Sequence, residues 1–177
     1  NKIFLKDGVY QTGQKLPILH IDKVYAGGIP DSIAKNNITD ADYYISQYDG
    51  AIRFIDEQVG KIMQCLEREG LNEDTLVIIT ADHGEYLGEN NFFTHNPFPL
   101  DEVMRIPLII KYHKMFTHRI IDTQVESIDI APTILDILHI DKAQGMQGES
   151  LLPLIQCAET SHKAYVFLGG DEISAIR

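Results

Sequence analysis

Cysteine is scarce in this chain: 177 residues carry two, Cys65 and Cys157. Two thiols cannot build a disulfide framework or a cysteine zinc cage. No apolar run approaches the ~18 residues of a membrane-spanning helix. Basic residues are in deficit, 15 Lys and Arg against 26 Asp and Glu, for a net charge of −11. That balance excludes a nucleic-acid backbone or an anionic membrane surface as the main partner. No repeat, low-complexity tract or Pro/Gly/Ser-rich linker interrupts the chain, so residues 1–177 read as one segment. No signal-like stretch opens it. A start on Asn1 rather than Met points to a piece of a longer polypeptide. What is present suits a folded domain. Apolar residues make up 44% and charged residues 23%, enough for a core and too little net polarity for disorder.

Residues 1–38 are rich in Gly, Pro, Lys and Tyr and read as loop that covers another part of the fold. The spacing next predicts a long helix. Thr39 followed by Asp42 resembles a capping box. Apolar residues recur at Ile45, Tyr48, Ile52, Ile55, Val59, Ile62 and Leu66, one face of a helix expected to pack into the core. Gly70 is the expected stop. Residues 75–80 (Thr-Leu-Val-Ile-Ile-Thr) form a short continuous apolar run, as expected of a strand buried on both faces of a parallel sheet. Pro107 to Ile110 reads as a second such strand, Asp129 to Leu138 as a helix with Pro132 in its first turn, Gly145 to Gly148 as a loop, and Ala164 to Leu168 as a last strand. Strands alternating with helices predict an α/β fold with a mainly parallel sheet flanked by helices.

The chemistry concentrates directly after the first strand, in Thr80-Ala81-Asp82-His83-Gly84-Glu85. Ligands of open α/β sheets bind at the carboxyl ends of strands. A carboxylate and an imidazole on one turn are ordinary ligands of a divalent cation, and Gly84 would let the chain turn beneath them. The tripeptide alone is a weak signal. Glu85 and Glu89 read as solvated loop acids. His20, His113, His118, His139 and His162 lack the spacing of a site and read as surface or core filler. Cys65 and Cys157 read as buried or half-buried thiols.

Colinear blocks sharpen the reading. Tyr48-Asp49-Gly50-Ala51-Ile52-Arg53-Phe54-Ile55-Asp56 precedes the Asp-His-Gly block, which continues to Leu87-Gly88-Glu89. Thr94-His95-Asn96-Pro97, Asp101-Glu102, Arg105 to Ile110, Asp129 to Asp136 and Gln147-Gly148-Glu149-Ser150-Leu151 follow in order. Over about residues 40–155 this order resembles the later part of the sulfatase catalytic domain, within the alkaline phosphatase superfamily. The resemblance implies an alkaline-phosphatase-like α/β sandwich. Residues 39–155 would be its family-like core, 1–38 a loop-rich lead and 156–177 a tail strand. It assigns Asp82 and His83 to the active-site divalent cation, with calcium first and manganese, magnesium or zinc as alternatives. It places His95 where many members carry a sulfate-binding lysine, so that His95 would contact a substrate oxygen or protonate the leaving group. Glu102 and Arg105 would fix a loop.

The family's nucleophile, a formylglycine made from cysteine in a Cys-x-Pro-x-Arg motif, or Ser or Thr in relatives, has no counterpart. Cys65 is followed by Leu66-Glu67-Arg68 and Cys157 by Ala158-Glu159-Thr160. The resemblance therefore implies a metal-dependent hydrolase of sulfate esters, acting on a small molecule or glycan, with the formylglycine upstream of Asn1 and this chain inactive alone. A phosphatase, phosphonate hydrolase or phosphotransferase of the same superfamily, and a non-catalytic remnant, stand as alternatives. The compartment is left open. A further expectation is an apolar face that a missing amino-terminal part or a second copy would cover.

Overall fold

The computed structural model describes residues 13–19, 28–95, 98–157, 162–163, 167–169 and 174–176. In chain order the elements are β1 (Ile18–Leu19), β2 (Ile29–Pro30), α1 (Ala41–Arg68), β3 (Val77–Thr80), β4 (Tyr86–Leu87), β5 (Phe93–Thr94), α2 (Asp101–Met104), β6 (Leu108–Lys111), α3 (Ile130–Ile137), α4 (Leu152–Ile155), β7 (Phe167–Gly169) and β8 (Ser174–Ile176). The class is α/β, as the pattern predicted. No described helix is long and apolar enough to cross a membrane.

The amino-terminal cap of α1 is Asp40, one residue after the expected Thr39. Its Oδ1 accepts the backbone N–H of Asp42 at 3.0 Å, satisfying one of the helix's orphan donors. The carboxyl end closes as a Schellman motif: Gly70 N–H donates to Glu67 O at 3.0 Å and Leu71 N–H to Leu66 O at 2.8 Å. Gly70 sits at φ +70°, the left-handed conformation that this closure needs.

Only the first turns of α1 are packed. Ala41, Tyr44, Ser46 and Gly50 are buried. Ala41 and Tyr44 join Leu16, Ile29 and Phe93 in one cluster, with Leu87 against it. The Tyr44 hydroxyl donates to Ile38 O at 2.9 Å and accepts from Lys35 N–H at 3.2 Å. Among the described residues ahead of the helix, Leu16, Ile29, Ala34 and Ile38 pack on its start. Further along, the expected core stripe is open to solvent. Ile52, Ile55 and Ile62 are 52%, 60% and 60% exposed. The periodicity identifies the face, of which Ile45, Val59 and Leu66 are half-buried and the rest exposed.

β3 is half-buried, and its partner is β6, antiparallel, with Ile78 opposite Ile110 and Ile79 opposite Ile109. This corrects the expectation of a parallel strand buried on both faces. Of the described strand pairs only β1–β2 is parallel. The segment between β3 and β6 holds a hairpin and one short helix, and a return without a full crossover helix yields an antiparallel neighbour. The last strand begins at Phe167 and pairs with β8; Ala164 lies outside the described residues.

A second packed region joins α3 to α4. Asp129 is completely buried. Its Oδ1 accepts Glu149 N–H at 2.8 Å and its Oδ2 accepts Glu126 N–H at 2.9 Å. Thr133 Oγ1 donates to Asp129 O and accepts Leu151 N–H at 2.9 Å. A Cβ on Gly148 would stand 1.9 Å from Ile128 O, so only glycine fits. The 147–151 stretch is thus stapled by side chains onto the start of α3.

Both thiols are exposed, against the expected burial. Cys65 belongs to the uncovered half of α1. Cys157 follows α4 at φ +60° and meets Arg119 Nη1 at 2.5 Å.

Candidate active site

The site grows from the end of β3. Beyond Thr80 the chain leaves the sheet and runs through Asp82, His83 and Gly84 into the β4–β5 hairpin. Gly84 is required here for a different reason from the tight turn predicted. Its N–H donates to Val103 O at 2.6 Å, and a Cβ would stand 2.1 Å from Glu102 O. The loop is pressed against the backbone of α2, which leaves no room for a side chain. Glu102 and Arg105, which the resemblance made loop-fixing, are both exposed, and no ion pair joins them among the described residues. The backbone of α2 does the fixing instead.

Asp82 and His83 point into the same space. Asp82 Oδ1 accepts the backbone N–H of His83 at 2.9 Å, and Asp82 Oδ2 lies 3.8 Å from His83 Nε2. That backbone hydrogen bond, helped by the neighbouring imidazole, holds the Asp82 carboxyl below the usual carboxylate range. His83 Nδ1 stands 2.9 Å from Gly84 O. A carbonyl only accepts, so Nδ1 carries the proton and Nε2 presents its lone pair toward the Asp82 carboxylate. The same contact raises the His83 pKa, overcoming the opposing effect of burial.

The hairpin returns the chain to this point. Tyr86 pairs with Thr94 and Leu87 with Phe93, so the next residue on each side is Glu85 and His95. Their side chains meet: His95 Nδ1 lies 3.0 Å from Glu85 Oε1. The His95 ring lies 4.3 Å from the His83 ring, centroid to centroid, tilted by 45°. His83, Glu85 and His95 each offer a donor atom within 4.8 Å of the others, a set chemically able to bind a metal. Beneath them Tyr86 is fully buried and donates its hydroxyl to Phe98 O at 3.0 Å.

All three residues singled out by resemblance, Asp82, His83 and His95, therefore lie together. Glu85 belongs with them and was read only as a solvated acid. The missed signal was its place one step outside a hairpin, opposite a histidine. Glu89 stays exposed and accepts Leu87 N–H at 2.7 Å, closing the hairpin. Asn96 and Pro97 lie outside the described residues, as does His20. His113, His118 and His139 are exposed. His162 is not filler: its side chain is buried and its Nε2 lies 3.1 Å from Asp129 Oδ2.

The sulfatase family model matches residues 19–140. The chain belongs to the sulfatase family. An N-acetylglucosamine-6-O-sulfatase of Bacteroides thetaiotaomicron is 32% identical over 114 residues, 64% of this sulfatase chain and 20% of the relative. The uncharacterized sulfatase YidJ of Escherichia coli is 31% identical over 130 residues, 73% of the chain and 25% of the relative. The multifunctional alkaline phosphatase superfamily protein PehA of Trinickia caryophylli is 38% identical over 110 residues, 61% of the chain and 21% of the relative.

Among solved structures, BT4656 in complex with its substrate D-glucosamine-2-N,6-O-disulfate superposes with a TM-score of 0.57 at 28% identity, covering 71% of this chain and 28% of that one. The phosphonate monoester hydrolase of Silicibacter pomeroyi gives a TM-score of 0.60 at 31% identity, covering 64% and 22%. The fold is that of the alkaline phosphatase superfamily. The sulfatase chain spans about a fifth to a quarter of the length of these curated relatives.

Proposed function

We propose that this chain, read as a single segment, supplies part of the active centre of a metal-dependent sulfatase that hydrolyses sulfate esters. One observation carries the reading. Asp82, His83 and His95 converge at the carboxyl end of β3, where ligands of α/β sheets bind, in a chain of the sulfatase family. The sulfated glucosamine bound by BT4656 and the name of the Bacteroides relative support a sulfated glycan or a related small ester as substrate.

The residues fit a divalent cation. The Asp82 side chain is 88% exposed and keeps its carboxylate available, and the lone pair on His83 Nε2 faces it at 3.8 Å. Asp82 and His83 would hold the ion together with ligands from outside these residues. A carboxylate-rich set completed that way favours calcium, and the imidazole also accommodates manganese or zinc. When bound, the cation polarises an oxygen of the sulfate group and favours the ionised nucleophile. His95, more open than Glu85 and bonded to it through Nδ1, would use Nε2 to contact a substrate oxygen or to protonate the leaving oxygen. Neither thiol here has the flanking residues of a formylglycine site, so the nucleophile comes from elsewhere in the polypeptide and the 177 residues alone are inactive.

The test is made on the natural full-length protein. It should hydrolyse aryl sulfates or 6-sulfated glucosamine and carry a stoichiometric divalent ion. Asp82→Ala should lower the metal content, and His95→Ala should cut turnover by about a hundredfold or more. Full metal content in the Asp82 variant would sink the ligand assignment. A second reading has specific support, though less than the sulfatase one: the Silicibacter phosphonate monoester hydrolase is 31% identical at a TM-score of 0.60. Faster turnover of phosphonate monoesters or phosphodiesters than of any sulfate ester would favour it.

A further inference from the structure

We propose that Glu85 is a positioning residue for His95: its carboxylate fixes the ring orientation and the tautomer of His95, so that Nε2 faces the substrate. The inference rests on the reading of His95 as a substrate contact, and it deepens that reading.

Four observations carry it. First, the β4–β5 hairpin ends on the Tyr86–Thr94 pair, which brings the next residue on each side, Glu85 and His95, beside one another. Second, the contact is a hydrogen bond of good length, 3.0 Å from His95 Nδ1 to Glu85 Oε1. A carboxylate only accepts, so Nδ1–H donates to Glu85 and Nε2 is the ring nitrogen left for the substrate. When Nε2 donates to a substrate or leaving oxygen, the ring carries a proton on both nitrogens and the Glu85 carboxylate faces that charge. Third, the burial is unequal. The Glu85 side chain is 26% exposed and that of His95 59%, so the acid lies beneath and the imidazole above, on the solvent side. Glu85 Oε2 is buried with no hydrogen-bond partner among the described residues. The carboxylate therefore satisfies no other described donor at that atom, and its polar contact is turned to His95. Fourth, the backbone before His95 is strained. Thr94, a β-branched residue, sits at φ +62°. A β-branched residue is disfavoured in that region and persists where the surroundings over-determine it. The bend turns the chain out of the β5 ladder at His95.

The arrangement separates two tasks. The tilted ring of His83, 4.3 Å away, bounds His95 on one side, and Glu85 holds its Nδ1 edge. An imidazole restrained in both ways loses little freedom when substrate arrives. A free ring on an exposed hairpin would sample other rotamers and both tautomers.

Glu85→Ala, Glu85→Gln and His95→Ala, made in the natural full-length protein alone and combined, test this. Glu85→Ala should lower kcat about 10- to 100-fold, the usual scale for partners that orient an active histidine, with KM changed much less. Glu85→Gln keeps an acceptor oxygen and should fall between. In the His95→Ala background neither substitution should cost anything more, because their route of action is gone. With 15N-labelled histidine, NMR should report the Nδ1–H tautomer of His95 in the parent protein and a shift toward Nε2–H in Glu85→Ala. Metal content should be unchanged in Glu85→Gln.

Several outcomes overturn the inference: unchanged kcat on removal of Glu85, an additive further loss in the His95→Ala background, an unchanged tautomer, or loss of metal with Glu85→Gln, which would make Glu85 a ligand. If His95→Ala itself left activity intact, the substrate role of His95 would fail instead. The NMR signature would still decide the Glu85–His95 hydrogen bond.

Discussion

Asp129 Oδ1 accepts a charge-assisted hydrogen bond from Lys163 Nζ at 2.7 Å, and the carboxylate has no exposure to solvent. Lys163 also pairs with Glu126, and His162 Nε2 lies 3.1 Å from Asp129 Oδ2. With the backbone N–H groups of Glu126 and Glu149, the acid is fully occupied. Residues from the start of α3, the 147–151 stretch and positions 162 and 163 thus meet on one carboxylate.

Removing that carboxylate leaves two backbone donors without their buried partner and Lys163 with Glu126 alone. Asp129→Ala should destabilise the protein by about 3–5 kcal/mol, the range for breaking a buried ion pair from one side. Urea unfolding should show a lower midpoint. An unchanged midpoint would mean that the cluster is solvated in solution.

The cluster also sets a pH dependence. Burial pushes the Asp129 carboxyl up, but Lys163, the two backbone N–H groups and His162 outweigh it and hold it below the usual carboxylate range. A depressed acid stabilises the fold above its unfolded value, about 3.9, and that stability is lost as pH falls through the lower folded value. Lys163 works in the opposite sense. Burial lowers its pKa, and Asp129 and Glu126 more than restore it, to above the ordinary lysine value. Its contribution is complete below about 10.4 and is lost as pH rises through the higher folded value. Unfolding midpoints against pH should show both limbs, and Asp129→Asn should flatten them. Limbs that survive in Asp129→Asn would place the titration elsewhere.

Gly84→Ala tests the loop. The new methyl carbon would stand 2.1 Å from Glu102 O, so the loop or α2 must move. The expected cost is about 1–3 kcal/mol, as for overpacking. Turnover and metal content should fall together, because Asp82 and His83 ride on the same loop. Wild-type activity and stability in this variant would show that the clamp is looser than the structure places it.

Much of the architecture was legible in the chain. The 3-4 spacing of apolar residues marked α1, and Gly70 marked its end. The Asp-His-Gly block after an apolar run marked the candidate site, because a strand that breaks into polar residues and glycine is where α/β folds bind ligands. Strand direction was not legible. A continuous apolar run fits a parallel or an antiparallel neighbour, and the partner is chosen by how the intervening chain returns. Nor was Glu85, since an isolated acid in a polar loop carries no sign of what faces it.

The sequence by itself determined the α/β class, the family, the position of the long helix and the identity of Asp82, His83 and His95 as the residues to examine. These follow from local spacing and colinear order, which need no long-range contact. Tertiary structure alone decided that Glu85 lies against His95, that Gly84 is fixed by the backbone of α2 and not by a turn, and that His162 and Lys163 converge on Asp129. Each depends on segments distant in sequence being brought within a few ångströms, where hydrogen bonding and excluded volume select partners that no local pattern encodes.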